Sequence, residues 1–209
     1  MDRPTLLSES KTLIDSIPTW KPLKPHTSSS PPITTSLYST TSKDGEFWCA
    51  RKSAIPATYK QPLIACILGE PTMGATHSDH EAKYIHEITG VSVSQIEKFD
   101  DGWKYDLVAD YDFGGLLSKR RFYETQHVFR FEDCAYVMSV PFDGPKEEGY
   151  VVGTYRSIER LSWGKDGDVE WTMATTSDPG GFIPQWITRL SIPGAIAKDV
   201  PSVLNYIQK

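Results

Sequence analysis

Val169-Glu170-Trp171-Thr172-Met173-Ala174-Thr175-Thr176-Ser177-Asp178-Pro179-Gly180-Gly181-Phe182-Ile183-Pro184-Gln185-Trp186 decides the fold, because the structural period changes in its middle. Before Asp178, the residues Val169, Trp171 and Met173 alternate with Glu170 and Thr172, the two-residue repeat of a strand with one apolar face. Asp178-Pro179-Gly180-Gly181 breaks that strand. Pro184 then stands where a helix begins, since a first-turn residue has no use for its N–H. Beyond it Trp186, Ile187 and Leu190 share a face, and Ile192, Ile196, Val200, Val203, Leu204 and Ile207 carry an apolar stripe to the end of the chain. Pro193 and Pro201 fall inside the stripe and predict a kinked or divided helix.

Working back from this stretch, period two governs everything from residue 91. Trp103, Tyr105, Leu107, Ala109 and Tyr111 share one face of a strand, with Lys104, Asp106 and Asp110 on the other, and Asp100-Asp101-Gly102 is the hairpin turn before it. Strands are predicted at 119–131, 134–142, 149–162 and 168–177. They are separated by Glu132-Asp133, by Asp143-Gly144-Pro145 and by the stretch from Gly164 to Gly167. Consecutive strands of this kind make an antiparallel meander, and its apolar face needs a cover, for which the terminal helix is the obvious element. Ahead of the meander lie a strand at 46–54, a helix at 57–68 with Pro62 in its first turn, and a helix from Ser78 or Asp79 to about Ile88 that Gly90 closes. At the N-terminus, Leu6, Leu7, Leu13, Ile14 and Ile17 recur at helical spacing. Pro22, Pro25, Pro31 and Pro32 around three serines read as a linker. The division is therefore 1–32, a helix and a Pro/Ser-rich linker, and 33–209, one α+β domain.

Composition removes several classes of function. The 209 residues carry a formal net charge of −5, and the longest basic run is Lys119-Arg120-Arg121, so a nucleic-acid partner is not expected. Cys49, Cys66 and Cys134 are odd in number and match no zinc spacing, as befits reduced thiols. Met1-Asp2-Arg3-Pro4 opens no signal peptide, and no apolar stretch reaches the roughly 18 residues that a membrane span needs, so a cytoplasmic location is expected. There is no Gly-x-Ser-x-Gly elbow, no cysteine beside a histidine, no Gly-x-Gly-x-x-Gly and no phosphate loop, which argues against nucleophilic and nucleotide chemistry and against a cofactor.

The element order and the 178–190 segment resemble the START-like helix-grip superfamily of lipid-binding domains. Ser118-Lys119-Arg120-Arg121-Phe122 resembles the family's Ser-x-Arg-Asp-Phe strand start, with Arg121 where Asp is usual. Residues 134–140, Cys-Ala-Tyr-Val-Met-Ser-Val, resemble the strand that follows. Asp178-Pro179-Gly180-Gly181-Phe182-Ile183-Pro184-Gln185-Trp186 resembles the Asp-x-x-Gly-x-Ile-Pro-x-Trp entry to the closing helix. Over residues 47–208 the chain is more closely similar to an uncharacterised START-like family found mainly in fungi. That likeness rests on Ala50-Arg51-Lys52-Ser53, Thr76-His77-Ser78-x-x-Glu81-x-x-Tyr84-Ile85, Ser157-Ile158-Glu159-Arg160 and the 169–177 run. The resemblance implies a curved antiparallel sheet wrapped around a long C-terminal helix, two short helices after the first strand, cytosolic placement, and a cavity for a hydrophobic ligand.

The candidate binding residues on this reading are His77, Trp103, Tyr105, Arg121, Tyr123, His127, Tyr136, Met138, Tyr155, Trp171, Met173 and Trp186. If Tyr123, Thr125, His127 and Phe129 face inward, Arg121 does too, with Glu159 or a ligand carboxylate as partner; a solvated basic strand end is the plainer reading. His77, His80 and Glu81 look superficially like metal ligands, but a zinc site needs supporting partners as well and His26, His86 and His127 offer no second cluster, so they read as a helix N-terminus and no metal is expected. The resemblance makes His77 and Glu81 structural or cavity-rim residues. Three functions remain open. One is binding of a lipid, sterol, polyketide or terpenoid-like molecule, with transient membrane contact and no obligate protein partner. Another is a cofactor-free cyclase or isomerase of secondary metabolism using His127, Glu159 and Tyr123. The third is a structural module with a filled interior.

Overall fold

The computed structural model describes residues 2–115, 117–164, 167–183 and 185–208, with the side chains of Gln185, Trp186 and Thr188 left aside. The chain opens with helix α1 (Arg3–Ser16) and a single 3-10 turn (Ile17–Thr19), followed by strands β1 (Lys21–Thr27), β2 (Thr34–Thr41) and β3 (Phe47–Ile55). Helices α2 (Lys60–Leu68) and α3 (His77–Glu81) intervene. Next come β4 (Ile88–Phe99), β5 (Gly102–Tyr111), β6 (Lys119–Arg130), β7 (Cys134–Pro141), β8 (Tyr150–Val152), β9 (Thr154–Trp163) and β10 (Val169–Asp178), before α4 (Gln185–Ile207) ends the chain.

The strands form one sheet in the order β1-β2-β3-β10-β9-β7-β6-β5-β4, antiparallel throughout, with β8 added in parallel to the start of β6. The last strand therefore pairs with β3, which draws the two ends of the chain together. The sheet has two covered faces. The inner face lies under α2 and α4, where Ile55, Val128, Val137, Leu161, Val169 and Trp171 pack against Leu63, Ile67, Val200, Val203 and Leu204. Ile196 and Ala197 of α4 close on Leu37, Cys49 and Met173 of the same face. The outer face lies under α1, where Ile14, Ile17 and Trp20 meet Trp48, Ala50, Phe129, Tyr136, Met138, Ile158 and Ala174.

The α+β helix-grip architecture is as the sequence predicts, and the predicted strand ends from residue 102 onward fall within a few residues of those observed, except that the single strand expected at 149–162 is divided into β8 and β9. Four other details differ. Residues 21–27 are an edge strand, not a linker: Pro22 and Pro25 are tolerated because an edge strand has a side without partners. With β2 also present, the two short helices follow the third strand, not the first. Helix α3 ends at Glu81, and Gly90 lies inside β4, opposite Asp110. Helix α4 runs unbroken through Pro193 and Pro201.

Helix α1 is fixed in place. Asp2 caps it by accepting the Thr5 N–H at 2.8 Å, a favourable closure of a free helix donor. The Arg3 guanidinium lies between the rings of Phe99 (4.3 Å) and Phe129 (3.9 Å), and it donates to the carbonyls of Trp103 (3.1 Å) and Val128 (3.3 Å). Arg160 of β9 pairs with Asp15 at 2.7 Å. No helix among the described residues is long and apolar enough to cross a membrane.

Because Ile14 is almost wholly buried between α1 and the outer face, Ile14→Ala is expected to lower stability by about 3 kcal/mol in urea denaturation, the usual cost of such a cavity. An unchanged midpoint would mean that α1 does not dock in solution.

Candidate functional site

The inner face owes its chemistry to register. Arg51 of β3 faces Met173 of β10, and Met173 faces Glu159 of β9, so the three side chains stand in one row. The Arg51 guanidinium reaches across Met173 to the Glu159 carboxylate at 3.3 Å, with both side chains out of water. Trp171, one row away, donates its indole N–H to the same carboxylate oxygen at 2.7 Å, while its ring lies 4.0 Å from the guanidinium carbon. Arg51 keeps two nitrogens, Nε and Nη1, buried and without a hydrogen-bond partner among the described residues. An unsatisfied buried guanidinium is costly, and a ligand oxygen is the natural remedy.

Helix α3 brings the second cation. Thr76 caps it and Asp79 returns a bond to the cap, which closes a capping box. Gly69, at a positive φ of 63°, lets α2 end close against the start of α3: a Cβ there would fall 2.3 Å from the His77 nitrogen. This geometry seats His77 on the inner face, 3.4 Å from Glu81 and 3.8 Å from Glu159. Burial alone would make His77 less basic, but the charge of Glu81 and its hydrogen bond, with the charge of Glu159, hold its pKa at about 9.

The next row toward the α4 N-terminus is a polar belt. Ser157, Ser139, Gln126 and Tyr105 follow one another across β9, β7, β6 and β5. Ser157 donates to Ser139 Oγ at 3.1 Å, and Gln126 Nε2 donates to Ser139 Oγ at 2.6 Å and to Glu124 Oε2 at 3.3 Å. The Tyr105 hydroxyl lies 3.0 Å from Ser78 Oγ and accepts the Ser78 N–H at 3.3 Å. Glu124 is buried, and that burial, reinforced by the charge of Glu81, pushes its carboxyl up to about 8.

Burial is the largest influence on Tyr84, Tyr111, Tyr155 and Asp199 and raises the pKa of each, with the charge of Glu81 acting in the same direction on all four. Tyr155 lines a cleft of about 300 Å³ between the first turns of α4 and the ends of β3, β9 and β10, with Phe47, Pro141, Arg189 and Ile192. This is the size of a small-molecule site.

Of the residues predicted from sequence, His77, Trp103, Tyr105, Tyr155, Trp171, Met173 and Glu159 share the inner face. Tyr123, His127, Tyr136 and Met138 lie on the outer face, which corrects the inward assignment of β6. Inward on that strand are Phe122, Glu124, Gln126 and Val128, opposite Ala109, Leu107, Tyr105 and Trp103. Phe129, Tyr136 and Met138 are the floor on which α1 rests. His127 sits there too, its pKa lowered to about 4 by burial and by the charges of Arg3 and Lys104. The Tyr123 hydroxyl donates to the Pro145 carbonyl at 2.7 Å. Arg121 also faces out and forks onto Asp110 at 2.6 and 2.8 Å, while the inward arginine is Arg120. The trio His127, Glu159 and Tyr123 is thus split between two faces of the sheet and cannot surround one substrate. The Trp186 side chain lies outside the described residues. Sequence reasoning missed Arg51, Glu124, Gln126, Ser139, Ser157 and Asp199 as site residues, although Arg51 lay inside a stretch that carried the family likeness.

A family described as "Protein of unknown function (DUF3074)" matches residues 48–207. No curated protein matches. Among solved structures, human STARD10 is 11% identical with a TM-score of 0.75, covering 100% of this chain and 80% of its own. Human StAR-related lipid transfer protein 5 is 14% identical with a TM-score of 0.71, covering 96% of this chain and 97% of its own. A STAR-related lipid transfer protein fragment from Xanthomonas axonopodis is 13% identical with a TM-score of 0.63, covering 91% and 99%. At these identities the likeness is one of fold.

Removing one partner of the central pair leaves a buried charge, so Glu159→Ala is expected to cost about 3–5 kcal/mol in chemical denaturation, with Arg51→Met/Glu159→Leu recovering most of it. Full stability in the single variant would show that the pair is not buried in solution. Stability should also fall as pH rises from about 6.5 to 8. In that window the folded chain holds protons on Glu124 and His77 that the unfolded chain has released, given their ordinary values of 4.5 and 6.5. Each such proton is worth about 1.4 kcal/mol per pH unit, and Glu124→Gln should roughly halve the slope. Asp199, raised to about 7 by burial, acts in the same direction, whereas His127 acts oppositely but only below about pH 6.5. A flat profile between pH 6.5 and 8 would contradict the buried setting of both groups.

Proposed function

We propose, for a chain that belongs to the DUF3074 family of proteins of unknown function, that it binds one amphipathic small molecule between the inner face of its sheet and α4. The carrying observation is Arg51, whose two buried nitrogens Nε and Nη1 have no hydrogen-bond partner among the described residues, on the face of the sheet whose end opens at the cleft of about 300 Å³ that Tyr155 lines.

The division of labour follows from the side chains. Met173, Val137, Leu107 and Ile196 offer apolar surface to a hydrocarbon portion, whose removal from water contributes about 25 cal/mol per Å² before the cost of association is subtracted. Arg51 offers N–H groups to a ligand oxygen, held in position by Glu159 and by the face of Trp171. Entry is past Tyr155 at the α4 N-terminal cleft, where Ile187 and Leu190 of the helix are exposed. The names of two of the solved structures of this fold describe lipid transfer proteins, which favours a lipid as the ligand class.

Native mass spectrometry of the recombinant protein, paired with displacement of the neutral fluorescent probe N-phenyl-1-naphthylamine, tests this reading. One-to-one probe binding with a low-micromolar Kd is expected. Tyr155→Ala should weaken it about tenfold, equivalent to about 1.4 kcal/mol, while His86→Ala on the exposed surface leaves it unchanged. A protein that carries no bound molecule and takes up no probe overturns the proposal.

A further inference from the structure

Four carboxyl groups face the interior, those of Glu81, Glu124, Glu159 and Asp199, against three cations, Arg51, His77 and Arg120. None of the three is paired with Glu124: Arg51 holds Glu159 through one nitrogen, His77 pairs with Glu81 and Glu159, and Arg120 donates to the carbonyls of Pro179 and Ser118. Glu124 is buried, and among the described residues no basic side chain forms an ion pair with it. The hydrogen bonds of the belt run toward it. Ser157 donates to Ser139, Gln126 donates to Ser139 and Glu124, and the Ser139 hydroxyl is a donor to Glu124. The donors of the belt are therefore spent on one another and on Glu124. What is left over is acceptor capacity: that of Glu124, and that of the amide oxygen of Gln126, a residue 2% exposed whose oxygen has no partner among the described residues.

We infer, resting on the binding role proposed above, that this pair on β6 receives a protonated amine of the bound molecule, so that the ligand is an alkylamine-type amphiphile. An ammonium supplies N–H donors to the open oxygen of Gln126 and to Glu124, and it supplies the positive charge that no basic side chain brings to Glu124. A carboxylate or phosphate head at this position would face Glu124 and Glu81 with like charge. A hydroxyl would satisfy one acceptor and leave the charge uncompensated. Empty, the site answers the imbalance by keeping a proton on Glu124, whose carboxyl burial pushes up to about 8; a bound ammonium takes over that role and drives the proton off.

Three ten-carbon amphiphiles that differ only in head group test this: decylamine, decanol and decanoate, each displacing N-phenyl-1-naphthylamine from the full chain at pH 7. Decylamine is expected to displace the probe at a concentration at least about tenfold below the other two. Titration calorimetry in phosphate and in Tris should show close to one proton released for each decylamine bound. Glu124→Gln should erase both the preference and the proton release while the probe still binds. Equal or better displacement by decanoate or decanol, or no buffer dependence of the heat, overturns the inference and leaves the binding role standing. A wild-type chain that takes up no probe removes the binding role and this inference together. Should Glu124→Gln fail to fold, the head-group comparison and the proton count on the wild-type chain decide the matter alone.

Discussion

The Arg51 guanidinium and the Glu159 carboxylate are held together out of water, and the arrangement of the inner face follows from keeping them so. Two buried charges are tolerable only when their geometry is good and their remaining hydrogen-bonding capacity is met. Glu159 meets that condition through Trp171 and His77. Arg51 meets it in part, through one nitrogen and the face of Trp171. The pair ties β3 to β9 across β10, and His77 ties α3 to the sheet. The tight Gly69 connection and the capping box at Thr76 are therefore the local conditions for that arrangement, since they fix where His77 stands.

A charged and hydrogen-bonded layer inside a domain of this size weakens its core, and the outer face offsets the loss. Seen from α4, the middle of the sheet is polar; seen from α1, it is aromatic and aliphatic. The strands thus have their packing layer on the side where a one-faced sheet would meet solvent, and α1 is the element that makes that side dry. The N-terminal helix is accordingly part of the domain, and Arg3, clamped between two phenylalanines and three backbone or side-chain oxygens, is its anchor.

This two-sided burial also explains what could be read from the sequence and what could not. Strands β5, β9 and β10 alternate cleanly, so their faces were legible: Trp103, Tyr105, Tyr155, Glu159, Trp171 and Met173 stand together as their spacing implies. Strand β6 is buried on both faces, and its two sets, Phe122-Glu124-Gln126-Val128 and Tyr123-Thr125-His127-Phe129, each contain aromatic or aliphatic residues. Hydrophobic alternation has nothing to say about such a strand. The aromatic set looked like a cavity wall and is in fact the floor beneath α1. β1 was illegible for a different reason: its prolines are breakers in a central strand but not at an edge. Arg51 was illegible because its partner lies 108 residues away, and no local pattern marks such a pairing.

The same facts bear on why the interior stays polar. Replacing buried ionic groups by apolar ones of similar shape often stabilises a protein, so a layer of buried carboxyls and cations is not explained by folding alone. A molecule that binds the folded chain and not the unfolded one returns stability in proportion to its affinity and concentration. Under the proposed binding role, the nitrogens of Arg51 and the oxygen of Gln126 that have no partner among the described residues are where that return would be made, because each is a hydrogen bond left open in the fold. On this view the imperfection of the core and its capacity to bind are one property, and the register that aligns β3, β10 and β9 produces both.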